Sequence, residues 1–286
     1  MLQRIGFVKR KGTTNGTLQV ENFEEEKHQF LFDIKVIVAI EEVPPCLVIN
    51  WDQTGIKYVP VSNWTMAKQG AKKVEIVGVS DKRQITAVFA GTLSGTFLPP
   101  QIIYKGKTKA CLPKVTFPTD WHITFSHNHW ANETTVKDYI TNIIVPYILR
   151  KKEELKLHSE QRALCIIDNF SAQCTDDVLE LLERHNIDTV LVPPNCTGEL
   201  QPMDLSINKP VKDILKNEFH QWYSDEISAQ GEQYNTVKLP LSVMKPLGAK
   251  WLMKAFDHIQ SHPTMIMNGF KAAGITNAID ELSKKK

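Results

Sequence analysis

The sequence predicts a mixed α/β fold in which helices flank a β-sheet. The chain has 286 residues, of which 42% are hydrophobic and 23% are charged, so its composition is that of a globular protein with a substantial buried core. Segments with the character of β-strands cluster in the first half of the chain, and strand and helix segments alternate in the second half. This order predicts an antiparallel meander that continues into strand–helix–strand units of the same sheet.

The first half of the chain is expected to begin with a linker and one helix. Residues 1–20 are basic and rich in Gly and Thr, which is typical of a tail or linker. A helix is predicted over residues 22–42 because its apolar residues recur near helical spacing and three glutamates occupy its first turns. Pro44 and Pro45 then end the helix. Strands are expected at residues 46–52, 74–79 and 85–92, and a turn at residues 91–95 leads to an extended segment at residues 98–104.

The second half of the chain is expected to alternate strands with helices. A helix predicted over residues 131–156 has one apolar side and contains Pro146, which is expected to kink it. Thr175 is expected to cap a helix that continues to residue 185, because two aspartates follow it in the first turn. Further strands are predicted at residues 163–168 and 189–192, and further helices at residues 205–227 and within 245–286.

Two of the predicted strands each end in an aspartate. Asp52 closes the apolar run that begins at Cys46, and Asp168 closes the run that begins at Ala163. If the two strands are parallel neighbours, both carboxylates lie at one edge of the sheet and repel each other unless a cation lies between them. Mg²⁺ and Mn²⁺ prefer such oxygen ligands. Asp204, before the last long helix of the sheet domain, offers the third carboxylate that a two-metal site needs.

Each of these aspartates alone has a simpler explanation. An Asp after a strand is commonly a turn residue or a helix cap, and Asp204 alone would be an ordinary N-cap. His127 and His129 lie in a polar stretch before a predicted helix, which favours surface or capping roles over metal binding. The sequence around the aspartates is therefore needed to decide between a structural and a catalytic role.

Three segments around the aspartates resemble, in order, the conserved blocks of the pogo/Tigger/jerky transposases of the mariner superfamily. NWDQTG at residues 50–55 resembles N-x-D-E-T-G, and IDNFSA at residues 167–172 resembles D-N-x-x-A-H. VPPNCT at residues 192–197, followed by LQPMD at residues 200–204, resembles PPNxT…LQPLD. The resemblance implies a ribonuclease H-like fold, DNA as the substrate, and two Mg²⁺ or Mn²⁺ ions held by Asp52, Asp168 and Asp204, with Asp52 bridging both ions.

The chain departs from the family pattern at three places. Gln53 stands where the family more often has Glu, and Gln173 stands where it more often has His. Residues 2–10 resemble only the end of the family's helix-turn-helix DNA-binding module. The expected divisions are a remnant of that module with its linker at 1–20, a connecting helix at 21–45, the endonuclease domain at 46–230 and a helical extension at 231–286.

Basic residues near the expected site are candidates for contacts to the DNA backbone. The net charge of +2 is too small to indicate nucleic-acid binding by itself, so their position in the chain carries the prediction. Phosphate contacts carry no sequence information, so binding is expected to be largely independent of sequence. The candidates are Lys72, Lys73, Lys82, Arg83, Lys105 and Lys107.

The remaining features of the sequence restrict the location and partners of the protein and leave two possible functions open. The five cysteines form no C-x-x-C pair, which argues against a zinc knuckle and a disulfide framework. No apolar segment has the length of a membrane span, so no membrane partner is expected. The resemblance implies DNA as the partner, and the nucleus is the expected location. Homodimer formation is left open. The two functions are a metal-dependent DNA nuclease and strand transferase, or a domesticated, inactive DNA-binding or scaffold protein.

Overall fold

The computed structural model describes residues 22–60, 81–229 and 237–283, and within them six strands form one sheet. The strands are β1 (Val48–Lys57), β2 (Gln84–Thr92), β3 (Gln101–Lys105), β4 (His122–Ser126), β5 (Ala163–Asp168) and β6 (Ile187–Val192). Their spatial order is β4-β3-β2-β1-β5-β6. Strands β1, β2 and β3 pair antiparallel, whereas β1–β5, β5–β6 and β3–β4 pair parallel. The predicted mixed sheet is confirmed.

Helices cover the sheet on both sides and extend beyond it. In the described part of the chain they are α1 (Phe23–Ile40), α2 (Glu133–Tyr139), α3 (Val145–Glu154), α4 (Asp176–Arg184), α5 (Thr197–Leu200), α6 (Pro202–Ser206), α7 (Asn208–Ala229), α8 (Leu241–Gln260), α9 (Pro263–Ala272) and α10 (Ile275–Ser283). None of the helices in the described ranges is both long enough and apolar enough to cross a membrane.

Strands β3 and β6 differ from the sequence prediction by one to three residues at an end, and β1 and β4 differ more. β1 does not end at Asp52 but runs on to Lys57, because the ladder to β2 continues without a break from Ile49 opposite Thr92 to Lys57 opposite Gln84. Strand β4 was not predicted, since its five residues include three polar ones and most are only half-buried. The strand predicted at residues 74–79 lies outside the described residues.

The helix predicted over residues 131–156 forms, but it changes its winding in the middle. A π-helical turn, Ile140–Ile144, joins α2 to α3 just before Pro146. Proline has no N–H to donate to the preceding turn, so the regular bonding pattern cannot run unchanged through this position. The predicted irregularity is therefore present as a wider turn next to Pro146.

The helices at the two ends of the described chain belong to the same hydrophobic core as the sheet. Helix α1 contributes Phe30 and Ile34, and it packs against β6 and α10. Helix α9 contributes Ile266 and Phe270, and it packs against α6 and β2. This packing fixes the position of α6, the short helix that carries Asp204.

Candidate active site

Asp52 and Asp168 lie beside each other on neighbouring parallel strands. The parallel ladder pairs Val48 with Leu164 and Asn50 with Ile166. The same offset, continued two residues past the end of this ladder, brings Asp52 level with Asp168, the last residue of β5. Both aspartates line a cavity of about 110 Å³, which we call the carboxylate cavity. The parallel arrangement on which the sequence argument depended is thus present.

Asp204 approaches this cavity from a helix and not from the sheet. The long helix predicted from residue 205 is divided at Ile207 into α6 and α7, and Asp204 lies in the first turn of α6. Asn208, four residues later, donates its side-chain Nδ2 to Asp52 Oδ2 at 2.5 Å and to Asp204 Oδ1 at 2.5 Å. One amide group therefore holds the carboxylates of Asp52 and Asp204 next to each other.

Asp168 is held by donors from two different segments. Its Oδ1 accepts a hydrogen bond from the backbone N–H of Asn169 at 2.8 Å and one from the Thr197 hydroxyl at 3.2 Å. Thr197 begins α5, the short helix before α6. These two bonds fix the orientation of the Asp168 carboxylate in the cavity.

Two buried amides, neither of them predicted as a site residue, attach α6 to the sheet. Asn50 donates to the Ile166 carbonyl at 2.8 Å and accepts from the backbone N–H of Met203 at 3.0 Å. Gln201 donates to the Trp51 carbonyl at 3.0 Å and accepts from Asn50 at 3.1 Å. The signal that could have revealed them is a fully buried polar residue inside an apolar strand and another directly before Pro202.

The carboxyl of Asp52 is in an environment that opposes its negative charge. Its pKa rises to about 7, first because the side chain is buried, and then because the carboxylate of Asp204 and, more weakly, that of Asp168 are close. Asn208 lowers this pKa in part by donating its hydrogen bond. A bound cation would remove the same electrostatic conflict, so this is the environment expected at a metal site.

The residues present fit a hard divalent cation. Three carboxylates supply the oxygen ligands that Mg²⁺ and Mn²⁺ prefer, and the Oδ1 of Asn208 is buried without a hydrogen-bond partner among the described residues. The described residues nevertheless contain no group of three or more Asp, Glu, His or Cys side chains already arranged around one ion. The Asn208 amide is hydrogen-bonded to two of the three carboxylates, those of Asp52 and Asp204.

The two glutamines at which the chain departs from the family pattern both line the carboxylate cavity. Gln53 follows Asp52 directly on β1. Gln173 is almost fully buried, and its side-chain oxygen has no hydrogen-bond partner among the described residues. Trp130, which is 54% exposed, lies at the same cavity. Both departures from the family pattern therefore lie at the cavity that Asp52 and Asp168 line.

A second cavity, which we call the basic cavity, gathers three of the predicted DNA contacts. It has a volume of about 320 Å³, and its cationic side chains are Lys82, Arg83, Lys105 and Lys245. Lys245 was not predicted, because it lies in α8, far from the others in sequence. Exposed Lys107 does not line this cavity, and Lys72 and Lys73 lie outside the described residues.

The basic cavity and the carboxylate cavity are neighbours. His129 lines the former and Trp130 the latter, and their rings stack at 5.2 Å between centroids. His129 also shares a hydrogen bond of 3.3 Å with the Thr86 hydroxyl, and burial lowers the pKa of its imidazole. Arg83 and Lys245 are less free than Lys82 and Lys105. Asp81 pairs with Arg83 at 2.5 Å and the Leu239 carbonyl accepts from Arg83 at 2.7 Å, while Lys245 Nζ donates to the Cys111 carbonyl.

The fold can be compared with those of solved structures. A solved structure described as the Mos1 transposase paired-end complex with left transposon end superposes with a TM-score of 0.50. The match covers 92% of this chain and 68% of that one at 11% identity. The ribonuclease H-like fold expected from the sequence is thereby confirmed.

The match to a protein family gives a more specific assignment than the fold does. Residues 82–270, more than half of the chain, match the DDE superfamily endonuclease family, and the chain belongs to it. The matched segment contains Asp168 and Asp204 and begins after Asp52.

Curated relatives agree with this assignment. The human protein "Pogo transposable element with KRAB domain" is 28% identical over 233 residues, and the mouse protein of the same name is 27% identical. These matches cover 81% of this chain but 36% of each relative, so the chain spans about a third of their length.

Proposed function

We propose that the chain is a transposase-derived, metal-dependent DNA endonuclease domain that cleaves DNA strands and transfers them. The observation that supports the proposal is that the Asp52 carboxylate lies close to those of Asp204 and Asp168, which belong to two other elements. Asp52 and Asp168 share a cavity, and Asn208 joins Asp52 to Asp204. We assign all three as ligands of Mg²⁺ or Mn²⁺ and as the catalytic residues.

The chain's own residues determine what the site can do. When bound, a pair of divalent cations would supply activation of the attacking hydroxyl and charge stabilisation at the leaving oxygen. Asp52 lies near both other carboxylates and so would be suited to contact both ions. Asp168 is oriented by Thr197 and the Asn169 backbone, and Asp204 is positioned by the attachment of α6 to Asn50. Burial of Asp52 keeps bulk water from one side of the site.

The proposed DNA path leads from the carboxylate cavity into the basic cavity. Lys82, Lys105 and Lys245 surround a space next to the carboxylates, and they are suited to neutralise phosphates that flank the scissile bond. Arg83 is a weaker contact in this proposal because its guanidinium is already engaged by Asp81. A DNA substrate also agrees with the expected nuclear location.

A second candidate function is a domesticated DNA-binding or scaffold protein without catalytic activity. The observation that favours it is the position of Gln53 and Gln173, which line the carboxylate cavity itself. Residues around metal ligands orient them, and their replacement commonly reduces metal affinity or activity by about 10–100-fold. The three unsubstituted carboxylates favour the active enzyme.

Nicking of supercoiled plasmid in the presence of Mn²⁺ tests the proposal. Asp168→Asn should abolish nicking and leave the fold intact, because the substitution removes a charge and preserves the shape of the side chain. Asp257→Asn, on the exposed surface of α8, is the matched control and should nick like the wild type. Equal nicking by Asp168→Asn would refute the catalytic assignment, whereas a folded wild type that binds DNA without nicking would favour the second function.

A further inference from the structure

The least explained group in the site is the side chain of Asn208. It is only 3% exposed and begins α7 directly behind the two carboxylates. Its Nδ2 makes two short hydrogen bonds, to Asp52 and Asp204, while its Oδ1 is buried and has no hydrogen-bond partner among the described residues. A buried carbonyl oxygen without a partner carries a cost in free energy, so its retention here calls for a function.

We propose that Asn208 is a fourth oxygen ligand of the metal site and that its side-chain amide flips, so that Oδ1 and Nδ2 exchange positions, when an ion binds. This inference rests on the proposed function, since it requires that Asp52 and Asp204 bind a divalent cation. Without the ion, Nδ2 faces the two carboxylates. With the ion, Oδ1 takes that place and contacts the cation together with Asp52 and Asp204.

The side-chain amide of Asn208 can make favourable interactions in both orientations, with Nδ2 when the ion is absent and with Oδ1 when it is bound. The NH₂ group carries two hydrogens and can donate to two acceptors at once, which suits a pair of carboxylates that lack a cation. It carries no full charge, however, and so cannot balance two ionised carboxylates in a buried place. Side-chain amide oxygens are ordinary ligands of hard divalent cations, so the unpartnered Oδ1 is the atom that the ion-bound state would use.

This amide flip requires little change elsewhere in the protein. Oδ1 and Nδ2 are nearly equal in size, and rotation about the terminal torsion of asparagine exchanges their positions while the backbone stays in place. Without an ion, the turned amide would place Oδ1 against two acceptor oxygens, which is unfavourable. The ion itself therefore selects the orientation, because it reverses the sign of the interaction at that position.

The alternative is that Asn208 has only a structural role, in which it positions α6 and α7. If the role is only structural, removal of the Asn208 side chain should destabilise the metal-free fold and leave the affinity for the ion unchanged. A ligand predicts that a substitution that keeps an oxygen at this position also keeps ion binding. The substitutions Asn208→Ala and Asn208→Asp separate the two roles, since both remove the donor and only Asp retains the oxygen.

The experiment is calorimetric titration of Mn²⁺ into the metal-free chain, combined with thermal unfolding in the presence of a chelator. Asn208→Ala should weaken Mn²⁺ binding by at least about 10-fold. Asn208→Asp should bind Mn²⁺ at least as tightly as the wild type, yet unfold at a lower temperature without metal, because it adds a third acidic group beside Asp52 and Asp204. Gln101→Ala is the matched control, because Gln101 is a buried amide that bonds to the Thr135 carbonyl.

The outcomes are distinct from those that test the proposed function. Unchanged Mn²⁺ affinity in Asn208→Ala overturns the ligand role and leaves the metal-dependent enzyme intact. Equal weakening in the Ala and Asp variants overturns it as well, because the donor and not the oxygen would then matter. If Asn208→Ala does not fold, the Asp variant decides, and weakened binding there overturns the proposal. A folded wild type that binds no Mn²⁺ overturns both this inference and the proposed function.

Discussion

Asp52 is the residue at which burial and charge conflict most directly. Burial and the neighbouring carboxylates raise its pKa from its ordinary value of 3.8 to about 7, so the folded protein holds this proton more tightly than the unfolded chain does. Its contribution to the stability of the metal-free protein is therefore most favourable below about pH 4. That contribution is lost as the pH rises toward 7, where the folded protein must also ionise the group.

Asp52→Asn should remove this cost of ionisation. The metal-free variant should be more stable than the wild type at pH 8, by at least about 1 kcal/mol, since one pKa unit corresponds to about 1.4 kcal/mol. At pH 5 the difference should become smaller, because the wild-type carboxyl then keeps its proton in the folded state. Urea unfolding with a chelator at the two pH values measures this, and a stability difference that does not change with pH would contradict it.

Sequence patterns could indicate the three aspartates but not the amides that arrange them. The aspartates follow apolar runs inside short recognisable segments, which local sequence displays. The partners of Asn50 and Asn208 lie as many as 153 and 156 residues away, so their hydrogen bonds exist only once the sheet and α6 have come together. That the aspartates act as metal ligands stays a prediction until metal binding is measured.

At the level of elements, the site depends on how closely α9 packs on α6. Gly269 of α9 lies so near to α6 that an added Cβ would overlap the Pro202 carbonyl oxygen and the Ser206 hydroxyl. Replacement of a glycine by alanine within a helix usually stabilises by about 1 kcal/mol. Overpacking in a tight contact costs about 1–3 kcal/mol, and here one of the atoms in the way belongs to the backbone, which cannot easily move aside.

Gly269→Ala should therefore destabilise the protein by about 1–3 kcal/mol and also weaken Mn²⁺ binding, because the displaced α6 carries Asp204. Gly198→Ala is the matched control, since a Cβ at that position meets no described atom within 4 Å. Denaturant unfolding and Mn²⁺ titration of both variants provide the measurement. A Gly269→Ala variant with the stability and Mn²⁺ affinity of the wild type would show that α9 does not determine the position of α6.

The elements that sequence predicted well are those whose own pattern determines them. β5 was predicted with the observed bounds because five consecutive apolar residues precede Asp168 and both faces of the strand are buried. Strand β4 depends instead on its pairing with β3 from Gln101 opposite His122 to Lys105 opposite Ser126, and its half-polar sequence does not show that partner. The local sequence therefore sufficed for β5 and failed for β4, whose formation depends on its partner strand.

At the level of the whole molecule, the distribution of charge matters more than its total. A net charge of +2 attracts DNA only weakly over long distances. The basic cavity nevertheless gathers Lys82, Lys105 and Lys245 next to three carboxylates, so cations are available where a phosphate backbone would pass. Binding that relies on such contacts depends on released counterions and not on the identity of bases.

We therefore expect the chain to bind unrelated duplexes with similar affinity, with dissociation constants of roughly 10⁻⁴–10⁻⁶ M at physiological salt. Lys105→Ala and Lys245→Ala should each weaken all duplexes alike and reduce the slope of log affinity against log salt by about 0.9, the effect of one phosphate contact. Lys156→Ala is the control, because this exposed lysine lies in the turn before β5 and does not line the basic cavity. Competition binding at several salt concentrations decides the matter. A salt-resistant preference for one duplex would mean that the domain itself recognises bases, and phosphate contacts in the basic cavity could not account for its binding.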